Sequence, residues 1–189
     1  MYMFRRMFTI VILSTFLCTA KPLPKYIYYV ASPLVERSEW YCQREMGKYE
    51  LGKNTGFCRT YQDAVGIPAG ASYCYAGQYW CYEQASRELG IQNPLPRTGI
   101  ANVIFDLAKL RGEKGKKIQR HDFVIWRVPK GWEGHIERVK KVLGGGWVET
   151  YAFNVSVGNR EGSAIKKRNI FYPLGRKAFR GLVGVQYEK

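Results

Sequence analysis

Histidine, acidic residues and long apolar runs are all scarce in this chain. It has two histidines, His121 and His135, and none of its five cysteines stands in a C-x-x-C pair. The nearest two cysteines, Cys74 and Cys81, have six residues between them, and H-x-x-x-H is missing, so the usual zinc spacings are excluded and no metal or other cofactor is expected. Fifteen acidic side chains stand against thirty Lys and Arg, a formal net charge of +15, which excludes an acidic surface and favours polyanionic partners. No apolar stretch reaches the ~20 residues that a membrane span needs. There are no repeats, which leaves one domain of ordinary size, large enough to bury a core.

What is present begins with Arg5 and Arg6, an apolar run from Met7 to Cys18, and the small residues Thr19 and Ala20. This pattern reads as a secretory signal over residues 1–20, cleaved near Ala20, and predicts a secreted or periplasmic protein. Cleavage removes Arg5 and Arg6 and leaves a net charge of +13, two below that of the full chain. Outside the cytoplasm the abundant polyanions are cell-wall polymers and lipid headgroups, so a wall polymer is expected as partner and nucleic acid is not. A solvated charged face is the plainer reading of the same charge. Cys42 and Cys58 are candidates for a disulfide in an oxidising compartment, linking the first two helical stretches. Cys74 and Cys81, two turns or ~10 Å apart on one helix, are too distant to bond.

Residues 21–36, with Pro22, Pro24 and Pro33, read as an arm leading into a domain over 37–189. Apolar spacing predicts helices over Leu34 to Lys48, Phe57 to Val65, Tyr73 to Leu89 and Ile100 to Arg111, followed by a basic loop from Lys114 to Arg120. From His121 the period changes. Strands are predicted over Phe123 to Val128, His135 to Val142, Trp147 to Phe153, Ser163 to Arg168 and Phe179 to Tyr187. Helices first and about five antiparallel strands afterwards make an α+β fold.

Cys74 is the residue most suited to chemistry. With Ser72 as N-cap it would be the second residue of the third helix, where unpaired amides and the helix dipole favour a thiolate. A buried, inert cysteine is the competing reading. A thiol nucleophile needs a base, and the base needs an orienting group. His135 opens a strand after Gly134, and Asn154 ends the next one, so these two are the candidates. Asn154-Val155-Ser156 is also a glycosylation sequon.

Several of these residues resemble a family. Val65-Gly66-Ile67-Pro68-Ala69-Gly70-Ala71-Ser72-Tyr73-Cys74, with Trp80-Cys81, is similar to the V-G-x-P-x-G-x-x-W-C-A-A-F-V-x-W-C run of the CHAP family, cysteine- and histidine-dependent amidohydrolases/peptidases of the papain-like superfamily. Asp122 to Trp126 resembles the family's G-D-I-V-x-F, Gly134-His135-Ile136-Glu137-Arg138-Val139 its G-H-x-G-x-V, and Thr150-Tyr151-Ala152-Phe153-Asn154-Val155-Ser156 its T-x-E-G-N-T-S. The likeness runs from about Arg37 to Val183. It implies a papain-like fold, N-terminal helices packed on a C-terminal antiparallel sheet, and a peptidoglycan hydrolase, amidase or endopeptidase, acting as a monomer without cofactor. It further implies Cys74 as nucleophile, His135 as general base and then acid, and Asn154 as orienting group.

The chain departs from the pattern at several positions. Ala152 stands where the family has Glu, leaving Glu149 as the one substitute in view, Gly77 replaces a large apolar residue, Tyr73 a tryptophan and His121 a glycine. The Cys74 amide and the Tyr61 side chain are the candidate oxyanion donors. Tyr73, Tyr75, Trp126 and Trp132 are the candidate lining of a substrate groove. The rival reading, supported by Ala152, is a wall-binding module that has lost its chemistry.

Overall fold

The computed structural model describes residues 28–29, 31–107 and 117–186. The elements run β1 (Tyr28–Tyr29), α1 (Ser32–Glu45), α2 (Arg59–Val65), α3 (Cys74–Leu89), α4 (Ala101–Leu107), β2 (Phe123–Arg127), β3 (Gly134–Gly144), β4 (Trp147–Val157), β5 (Arg160–Asn169), β6 (Ala178–Val183) and β7 (Val185–Gln186). The protein is α+β, with a five-stranded antiparallel sheet in the order β5-β4-β3-β2-β6 and a short parallel pairing of β1 with β7.

Helix α3 is the centre of the molecule. Cys74 through Tyr79, Cys81, Tyr82, Ala85 and Ser86 are all buried, far more than the single stripe of a surface helix. It packs against α1, α2, β3 and β4, and Gly90, in a left-handed conformation at φ +65°, stops it. The sheet separates two apolar clusters by the strand period of two. In β2, Phe123 and Ile125 join the helices, whereas Val124 and Trp126 join Val139, Val148 and Leu182 on the other side. In β3, Ile136 joins the helices, so His135 and Glu137 stand on the Trp126 side.

Helix α1 begins at Ser32, inside the segment expected to be an arm, because Pro33 falls in its first turn, where proline costs no hydrogen bond. The signal segment 1–20 and residues 21–27 lie outside the described residues, as do 108–116, which include the end of the fourth predicted helix and the start of the basic loop. The candidate Cys42–Cys58 disulfide is not formed. All four cysteines from Cys42 onward are free, and the packing of α1 along α3 brings Cys42 to Cys81, with which it shares a hydrogen bond, and 3.6 Å from Gln78 Oε1. Among the described residues no helix is long and apolar enough to cross a membrane.

Candidate active site

Cys74 is the first residue of α3, one position nearer the end than Ser72 capping would place it. Tyr73 is the N-cap, without a side-chain cap bond, and Ser72 is exposed beside the cleft. In this place, as in the expected one, the Cys74 amide is among the N–H groups that no helix carbonyl can reach. The thiol is 5 % exposed and lies in a cleft of about 610 Å³ that is also lined by Ser72, His135 and Asn154.

His135 is the base that this thiol meets. The two share a side-chain hydrogen bond, and the backbone amides of Ile136 and Tyr75 also hydrogen-bond the sulfur. The other ring nitrogen, Nε2, lies 3.1 Å from Glu137 Oε1, which leaves Nδ1 for Cys74. Glu137 is fully buried. Its carboxylate accepts from Thr150 Oγ1 at 2.5 Å, from Arg168 Nη2 at 2.8 Å and from Arg168 Nε at 3.1 Å. Trp126, pairing with His135 across β2 and β3, holds its ring 6.2 Å from the imidazole and shields this chain from water.

The electrostatics follow from the contacts. Burial pushes the Cys74 thiol up, but the hydrogen bond and charge of His135 outweigh it and bring the thiol below its ordinary value. Burial pulls His135 down, and the bonds to Cys74 and Glu137 overcome this and raise it to about 9. Burial pushes Glu137 up, while His135 and then Arg168 hold it at about 2. These contacts favour the thiolate–imidazolium pair over its neutral form. Alkylation of Cys74 by iodoacetamide should reach half its maximal rate below pH 9.0, the ordinary thiol value. In a His135→Ala variant that midpoint moves upward, because burial then dominates; a midpoint that stays put contradicts the pair.

Asn154 does not orient the imidazole. Its Oδ1 accepts from the Tyr73 amide at 3.2 Å and its Nδ2 donates to Asn54 Oδ1 at 2.7 Å. A register shift in β4 and a left-handed φ of +56° turn it toward the end of α3, so it ties the nucleophile's helix to the sheet. The bond to Asn54 engages the nitrogen that the sequon would offer. Tyr61 is no oxyanion donor either: it is buried, gives its hydroxyl to Glu45 and packs on Tyr73, Trp80 and Phe153. Burial, with the Glu45 charge, keeps its phenol protonated far above its usual range.

The expected aromatic groove is mostly core. Tyr73 and Tyr75 are wholly buried and Trp126 nearly so; only Trp132, 75 % exposed, lines the cleft. Glu149, the substitute in view for the missing carboxylate, points elsewhere and faces Lys140 at 3.4 Å. Glu137 was not anticipated, yet a signal exists: two residues after His135 on a strand, it shares the histidine's side of the sheet. No protein-family model matches the chain, and no curated protein matches it.

Proposed function

We propose that the chain is a papain-like cysteine hydrolase similar to the CHAP family, cleaving amide bonds of peptidoglycan outside the cytoplasm. The observation that carries this reading is the hydrogen-bonded run Cys74–His135–Glu137 at a helix N-terminus, open to a cleft. The Cys74 thiolate attacks the amide carbonyl carbon, and the oxyanion is met by the Cys74 N–H. Imidazolium His135 gives its proton to the leaving amine as the C–N bond breaks. It then takes a proton from water, which attacks the thioester and releases the acid with Cys74 restored. Glu137 holds the imidazole in position throughout.

Four departures from the family pattern form two compensating pairs, which supports the resemblance. Glu137 stands where the family has glycine and Ala152 where it has glutamate, and the two face each other directly across β3 and β4. The carboxylate has changed strand without leaving the imidazole. Likewise Gly77 replaces a large residue while Phe153 replaces a glycine, and the Phe153 ring fills the space above Gly77. The binding-module reading drew on the lost glutamate, and that support lapses when Glu137 takes its place.

The test is digestion of purified peptidoglycan by the wild type beside Cys74→Ala, with products read by mass spectrometry. The wild type should release fragments whose masses identify the bond, and the variant none. Sedimentation of both with the wall, without release by either, would overturn the catalytic reading.

A further inference from the structure

The turn Gly144-Gly145-Gly146, at the end of the β3–β4 hairpin away from His135, is flanked by exposed apolar side chains. Val142, Leu143 and Trp147 of the β3–β4 hairpin and Phe171 and Tyr172 of the segment after β5 are between 39 % and 64 % exposed. The three aromatic residues gather at the turn, while Val142, opposite Val148, lies on the other face of the hairpin from Trp147. Trp147 and Tyr172 stack edge to face at 6.5 Å, and the Phe171 ring lies so close to Gly146 that a Cβ there would meet it at 2.5 Å. The display is held firmly: Ile170 N donates to Gly146 O at 3.0 Å, Asn169 Nδ2 to Gly145 O at 3.1 Å, and Trp126 Nε1 to Tyr172 O at 3.4 Å.

Cations border the patch. Lys167 stands 5.3 Å from the Trp147 ring centre and Lys141 is exposed, while of the carboxylates on this side Glu149 faces Lys140 and Glu39 is paired with Arg120. Single exposed apolar residues need no explanation, whereas three aromatics gathered beside a lysine, on a tip that also exposes Val142 and Leu143, do. We propose that this hairpin tip docks on an anionic phospholipid surface. Tryptophan and tyrosine suit the boundary between headgroup and acyl chain, and lysines beside them attract the headgroups. Val142 and Leu143 favour lipid over nucleic acid, since aliphatic side chains gain from entering an acyl layer and offer no stacking face to a base. From His135 to Leu143 the strand extends about 27 Å. The turn itself is therefore remote from His135, whereas Tyr172, whose carbonyl meets Trp126, lies nearer the cleft.

The experiment is co-sedimentation of the full chain with phosphatidylglycerol–phosphatidylcholine vesicles and with phosphatidylcholine vesicles alone. Binding should be stronger to the anionic vesicles. The triple variant Leu143→Ala, Trp147→Ala, Phe171→Ala should weaken it about tenfold, and the exposed-charge variant Lys141→Glu, Lys167→Glu should weaken it to a similar degree, with Cys74 alkylation unchanged in both. Vesicle binding that neither variant alters would place the contact elsewhere and overturn the proposal. So would loss of binding to DNA or to wall polymer, without vesicle binding by the wild type.

Discussion

Glu137→Gln should lower turnover by about 10²–10⁴-fold, the range that a positioned general acid and base contributes. Glutamine keeps the shape but not the charge, so the imidazolium loses its buried counter-ion and Arg168 is left facing a neutral group. Cys74 should then alkylate with a higher pH midpoint, since a less basic His135 holds the thiolate less well. The same contacts set a pH dependence of stability. His135, raised to about 9 from 6.5, contributes fully below pH 6.5 and loses its contribution as pH climbs through about 9. Glu137, lowered to about 2 from 4.5, contributes above pH 4.5 and loses its contribution as pH falls through about 2. Urea midpoints measured across this range should be flatter for the variant.

The decisive variant restores the carboxylate from the facing strand. Glu137→Gly with Ala152→Glu should recover a large part of the turnover and of the low alkylation midpoint, because residues 137 and 152 are direct cross-strand partners on one side of the sheet. Glu137→Gly alone should be as slow as Glu137→Gln. If the double variant is no faster than the single, the carboxylate does not act through the imidazole and the pairing of these two departures has no functional meaning.

The class of the fold and the order of its elements were legible because period does not depend on partners. The apolar spacing after Tyr73 and the β-rich runs after His121 both became the expected elements. That Cys74 stands at the start of a helix and His135 at the start of a strand was legible for the same reason. Asn154 was misjudged because its direction depends on a register shift and a left-handed φ, neither of which residue type announces. Tyr61 was misjudged for a related reason: its hydroxyl partner, Glu45, lies on another helix, sixteen residues away. Tyr73, Tyr75 and Trp126 show how composition misleads, since an aromatic with one polar atom serves a core as readily as a groove. Tyr75 gives its hydroxyl to Pro96 O at 2.9 Å. Glu137 was passed over because a glutamate in a strand is read as facing water unless something buried needs its charge.

Gly77→Ala should destabilise the protein, although alanine is worth ~1 kcal/mol more than glycine within a helix. A Cβ at position 77 would sit 2.4 Å from Cγ and Cδ1 of Phe153, a ring that is itself fully buried and packed edge-on at 5.3 Å against Tyr61. The ring has nowhere to retreat. Overpacking of this kind costs about 1–3 kcal/mol, and a net loss of 2 kcal/mol would lower the melting temperature by about 4–8 °C in a domain of this size. Phe153→Gly alone should cost about 3–5 kcal/mol through the cavity it opens. The exchange Gly77→Phe with Phe153→Gly returns a ring to the same gap from the other side, and should be more stable than either single variant by a coupling of about 1–3 kcal/mol in urea unfolding. Gly77 is three residues from Cys74 on α3, and Phe153 adjoins Asn154, which holds the Tyr73 amide. The alkylation rate of Cys74 should therefore fall in each single variant and recover in the exchange. A Gly77→Ala protein as stable and as reactive as wild type would mean that the ring moves freely, and that packing at this contact does not set the position of the nucleophile.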